Sequence, residues 1–153
     1  MDAPKPTGSV TRVLTAGSAY FGMIFILGFA LGVVRVLITA PRLGVLGAVV
    51  LELPIILAAS WLAARFCVAR FAVGPHATQR LSMGAIAFCL TIAAECALSV
   101  FLFRRPPGQF LALYVHDLAS AVGLGGQILF ALIPCIQGTP STLGKPGQHD
   151  HSA

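Results

Sequence analysis

Charged residues divide this chain into long apolar stretches, and those stretches set its architecture. No charge occurs from Val13 to Val34, a run of 22 residues. A transmembrane helix needs about 20 apolar residues to cross a ~30 Å hydrocarbon core. The pattern predicts a first span over Ala16–Leu37. A second is expected over Leu43–Ala64, holding one charge, Glu52, and one proline, Pro54. Proline removes a helix hydrogen bond and crowds the preceding turn, which neighbouring helices in a membrane can absorb. A third span is expected over Leu81–Phe103, bracketed by Arg80 and by Arg104 and Arg105, with Glu95 inside. Pro106-Pro107-Gly108 then marks a turn. A fourth span is expected over Phe110–Ile136, with His116 and Asp117 early in it and Gly123, Gly125 and Gly126 near its middle.

The expected fold class is therefore all-α: a polytopic membrane protein built as a four-helix transmembrane bundle. Residues 1–15 read as a short N-terminal cytoplasmic segment and residues 16–136 as the transmembrane domain. Residues 137–153, rich in Gly, Pro, Ser and Thr, read as a disordered tail.

Composition strengthens this picture. Hydrophobic residues make up 57% of the chain and charged residues only 10%, where a soluble domain carries about 25%. So few charges could not cover a water-soluble surface of this size. The net charge of +5 could suggest nucleic acid, but the basic residues lie between apolar segments and form no patch or stripe. No nucleic-acid partner is expected. The partners expected are the lipid bilayer and either another membrane protein subunit or a second copy of the chain.

With four spans both termini share a side. Lys5, Arg12, Arg65, Arg70, Arg80 and Lys145 lie there, against Arg35, Arg42, Arg104 and Arg105 opposite. Basic loops favour the cytoplasm. The expected location is a bacterial inner membrane with both termini cytoplasmic.

The intramembrane polar residues carry the candidate chemistry. At helical rise, Glu52 lies about 13 Å from the entry of its span and Glu95 about 12 Å from the exit of its own. His116 and Asp117 lie about 9–11 Å in, and Arg35 about 8 Å from the same side. An isolated charge at mid-bilayer costs roughly 2.5–3.5 kcal/mol on insertion scales, so groups at a shared depth are expected to pair. Arg35, with five donors, is expected to join Glu52 and Glu95, with His116 or Asp117 close by. Gln127 belongs to the same polar set, on a stripe with His116, Ser120 and Gly123. Gly28 and Gly32 form a GxxxG pair that would let another helix approach, and Gly123 is expected to serve helix packing too.

Specific catalytic signatures are missing. There is no GxSxG, no HExxH, no Walker sequence and no CxxC. No catalytic residue and no metal site is assigned, and no cofactor follows from the sequence. The segment RVLITAPRLG, with LELP a few residues on, stands apart from the surrounding hydrophobic sequence without matching a functional motif. The expected function is an accessory or scaffold protein whose Arg/Glu network fixes helix packing. Two alternatives stand beside it: a small carrier or proton/ion pathway centred on Glu52 and Glu95, and a membrane enzyme acting on a lipid-soluble substrate.

Overall fold

A computed structural model of the chain describes residues 7–104 and 117–137. All regular structure among the described residues is helical. Helix α1 spans Thr7–Val34 and runs into one π-helical turn, Arg35–Thr39. Helix α2 spans Ala40–Arg70, α3 Ala77–Phe103 and α4 Leu118–Ile136. Among the described residues, three helical stretches are long and apolar enough to cross a membrane: Val10–Arg70, Ala77–Phe101 and Leu118–Ile136. The two spans expected at the N-terminal end thus fall within one continuous stretch of 61 residues. Of the expected fourth span, α4 supplies Leu118–Ile136; residues 110–116, His116 included, lie outside the described residues, as does the expected tail from residue 138.

That long stretch is not straight. Pro41 has no N–H to return to the carbonyl of Leu37, and its ring would crowd that carbonyl in an ordinary turn. The backbone widens just there: the Ala40 N–H bonds the Arg35 carbonyl, the five-residue spacing of a π turn. Thr39 Oγ1 donates to the same carbonyl at 3.4 Å. Gly44 then leaves helical geometry altogether, with φ +74° and ψ 165°, a conformation open essentially to glycine alone.

Beyond Gly44 the chain folds back. Gly28 faces Ile56, and Arg35 meets Glu52; Ser60 lies beside Tyr20. Residue numbers rise along α1 as they fall along α2, so the two arms run antiparallel. Helix α1 packs on α2 and α3, and α4 packs on the same two helices.

Glycine permits each of these four contacts. A Cβ on Gly28 would come within 3.3 Å of Ile56 Cδ1 between α1 and α2. One on Gly17 would meet the Met83 carbonyl at 2.9 Å between α1 and α3. One on Gly84 would strike the Ala131 carbonyl between α3 and α4, and one on Gly126 would strike Leu53 between α4 and α2. Small residues that let backbones approach are the usual device where water supplies no drive between helices.

The buried core gathers at one end. Val13, Ala16 and Tyr20 of α1, Ala63, Ala64 and Cys67 of α2, Met83 and Ala87 of α3, and Phe130 and Ile133 of α4 form one cluster. Tyr20 crosses the middle of it. Its ring stacks on Phe130 with centroids 4.5 Å apart, and its hydroxyl donates to the Phe130 carbonyl at 2.9 Å. That carbonyl would ordinarily accept from the residue four positions on, which is Pro134 and has no N–H. Tyr20 supplies the missing donor.

Outside this core the surface is apolar. Ile26 is 72% exposed, Leu62 68% and Phe101 85%. Large exposed apolar patches in general mark membrane or protein contact.

At the core end, α2 finishes in a Schellman arrangement. The Val73 N–H returns to the Val68 carbonyl at 3.1 Å, with Ala72 left-handed at φ 49°. Gly74 N–H then donates to Gln79 Oε1 at 2.9 Å. Arg80 reaches both the Gly74 carbonyl, at 3.3 Å, and the Pro134 carbonyl, at 3.5 Å, tying this turn to the end of α4. Gln137 Nε2 donates to the Trp61 carbonyl at 2.7 Å and ties the same end to α2.

Candidate functional site

Arg35, Glu52, Glu95 and Gln127 lie in the other half of the molecule. Arg35 sits at the first position of the π turn. Its Nη1 meets Glu52 Oε2 at 3.1 Å, an ion pair between the two arms of the folded stretch. Glu52 is 14% exposed and Arg35 37%, so the pair is half-sheltered, with the carboxylate on the inner side.

Glu95, on α3, and Gln127, on α4, form a second contact. Gln127 Nε2 donates to Glu95 Oε1 at 2.6 Å. Gln127 Oε1 is buried and accepts no hydrogen bond within the protein. The two contacts lie at one level, because Gly126 packs directly on Leu53. That close approach sets Glu52 and Gln127 on neighbouring helices at the same height. The sequence order Arg35–Glu52, then Leu53–Gly126, then Gln127–Glu95 thus runs around all four helical arms.

Asp117 stands apart from this set. It is exposed at the N-cap of α4, where its carboxylate accepts from the Ser120 N–H at 2.9 Å and from Ser120 Oγ at 2.6 Å. The two Ser120 donors, the hydroxyl foremost, hold its carboxyl below the usual aspartate range. Asp117 is therefore a helix cap, and Ser120 serves it. Among the glycines expected to serve packing, Gly28 touches Ile56; Gly32 has as its nearest neighbour the Arg35 guanidinium, at 3.9 Å; Gly123 faces open space.

Two features escape a reading by depth and charge. The first is the Tyr20–Phe130–Pro134 arrangement, signalled only by an isolated tyrosine in one apolar run and a proline in another. The second is the pair Gly17 and Gly84, which no GxxxG spacing marks. Among the described residues, no three of His, Cys, Asp and Glu gather at metal-binding range.

The arrangement can hold helices in register, and it offers a carboxylate and an unmet amide oxygen inside an apolar body. No family model, curated protein or solved structure matches the chain, so function rests on these residues.

Proposed function

We propose that this chain is a small polytopic membrane protein that acts as an accessory or scaffold subunit. In this reading the Val10–Arg70 stretch crosses the bilayer twice and the molecule is a four-helix transmembrane bundle. A straight helix of 61 residues would be about 90 Å long, three times the hydrocarbon thickness of ~30 Å. The Gly44 break and the antiparallel arms make two crossings instead. The apolar exterior offers faces for lipid, for a larger membrane partner or for a second copy. Arg12, Arg65, Arg70 and Arg80 gather at one end, which supports a cytoplasmic location for that end, with both termini, in a bacterial inner membrane.

The observation that carries the scaffold reading is that the intramembrane polar groups are engaged between helices. Arg35 is bonded to Glu52, and Glu95 to Gln127. Polar contacts of this kind specify one packing, a role attested for buried polar groups in other helical assemblies. Purification from native membranes in mild detergent tests it. A stoichiometric partner, or a defined self-complex, should accompany the wild-type chain and be lost from Glu52→Gln.

Gln127 Oε1 favours a second reading, a small proton or ion pathway through Glu52 and Glu95. A buried acceptor without a partner suits a bound water or a donor-bearing ligand. Proton flux in reconstituted vesicles, abolished by Glu95→Gln in a variant that still assembles, would replace the scaffold reading with this one.

A further inference from the structure

Among the described residues, the core end of the molecule carries cations without carboxylates. Arg12, Arg65, Arg70 and His76 are exposed there, and Arg80 is partly so. The described residues include three acids, Glu52, Glu95 and Asp117. All three lie in the other half: Glu52 is bonded to Arg35, Glu95 to Gln127, and Asp117 starts the helix whose far end packs here. Among the described residues, charge on this end is therefore unbalanced.

Within this basic end lies a cleft of about 250 Å³ between the start of α1 and the turn joining α2 to α3. Arg12, His76 and Gln79 supply its polar wall, and Val13, Val73 and Pro75 its apolar one. The turn that shapes it is fastened. Gly74 is held by Gln79 and by Arg80, and Arg80 in turn reaches α4. Val13 and Val73 belong to the buried core, so the apolar wall is continuous with the interior. Among the described residues no carboxylate at this end holds Arg12, which lines the cleft and faces an outside anion.

We infer that this cleft binds the phosphate group of an anionic membrane lipid. In a chain that crosses the bilayer as proposed above, Arg12 lies two residues from the start of the apolar stretch at Val10, at the level of the headgroups. Basic pockets between helices at this level recognise phosphate-bearing headgroups, and each Arg or Lys near the surface contributes about 1 kcal/mol. Arg12 provides a planar fork suited to phosphate oxygens. His76 and Gln79 flank it, and the apolar wall meets the glycerol and upper acyl chain. A free phosphate ion shares the polar chemistry but gains nothing from Val13, Val73 and Pro75, which favours the lipid.

The test uses the full chain in nanodiscs of phosphatidylcholine doped with phosphatidylglycerol, with the lipid retained after mild detergent release counted by native mass spectrometry. Wild type should retain phosphatidylglycerol in preference to phosphatidylcholine. Arg12→Gln should weaken that preference about fivefold, the equivalent of about 1 kcal/mol. Arg12→Lys should keep most of it, and Arg42→Gln, at the Gly44 end, should leave it unchanged. Equal retention of the two lipids by inserted protein would overturn the inference while leaving the membrane reading intact. Equal loss with Arg42→Gln would do the same, since it reports only general attraction of cations. Displacement of the lipid by millimolar inorganic phosphate would assign the cleft to the free ion instead. Failure of the chain to enter either nanodisc would sink both readings together. Arg12 and His76 are exposed, and an unchanged helical circular dichroism spectrum for each variant separates binding from folding.

Discussion

Tyr20 donates its hydroxyl to the carbonyl of Phe130, the acceptor that Pro134 leaves without its helical partner. A break in one helix is thereby repaired by a side chain from another. The repair ties α1 to α4 across the core, although these two helices are not neighbours. Tyr20→Phe leaves a buried carbonyl unmet, at a cost of about 1–3 kcal/mol, read as a lower melting temperature in detergent. Pro134→Ala restores the N–H that bonds Phe130. In that background Tyr20→Phe should cost markedly less, and equal costs in the two backgrounds would refute the repair.

The Arg35–Glu52 pair should behave as a half-sheltered contact. Exposed pairs contribute at most about 1 kcal/mol, whereas removing one partner of a fully buried pair costs about 3–5 kcal/mol. Glu52 is the more sheltered partner, so Arg35→Gln should destabilise the protein by about 1–3 kcal/mol. The charge-swapped double variant, Arg35→Glu with Glu52→Arg, should recover part of the loss. No recovery relative to the single variants would mean that the pair is incidental.

The glycines divide by cause, and alanine substitutions should separate them. Gly44→Ala meets no neighbour but must hold φ +74°, at a cost of about 1–3 kcal/mol. Gly84→Ala drives a methyl group into the Ala131 carbonyl, so α3 and α4 must part; it should be the most damaging of the three. Gly123→Ala faces open space inside α4 and should gain up to about 1 kcal/mol of helix propensity. Thermal midpoints of the three variants give the order directly.

Much of this was legible in the sequence, and the boundary has physical causes. Uninterrupted apolar runs announce helices that must satisfy their own backbone, so helices long and apolar enough to cross a membrane follow from length, and a partner for Arg35 at the level of Glu52 follows from depth. Depth says nothing about azimuth. Glu95 could be placed at the right level, but its bond to Gln127 depends on how α3 and α4 rotate against each other. Asp117 was expected within a span because apolar residues precede it, yet its spacing from Ser120 makes it a cap. Within RVLITAPRLG, Pro41 follows the π turn and Gly44, three residues on, makes the fold-back. Close contacts at Gly17 and Gly84 depend on facing residues that no local spacing reveals, whereas Gly126 belongs to a glycine cluster that signals close helix contact.

The α4 cap should depend on pH. Ser120 lowers the folded-state pKa of Asp117, so this carboxylate contributes stability above its unfolded pKa. The contribution is lost as pH falls through the lower folded value. Hydrogen exchange at the first amides of α4 should therefore quicken, relative to the intrinsic rate, on acidification. Asp117→Ala should exchange quickly at every pH. A wild-type profile that matches this variant at neutral pH would remove the cap from the account.

A distance between the two arms tests the fold-back most directly. Spin labels at Leu14→Cys and Phe66→Cys, both exposed positions, would be placed in a chain whose four native cysteines are replaced. Arms that return on each other at Gly44, with axes about 8–10 Å apart, put the labels within about 25 Å. A stretch that continues straight separates them by about 78 Å at helical rise. A pulsed electron-resonance distance in the shorter range is the expected result. A distance near the longer value would separate Arg35 from Glu52 and contradict the account.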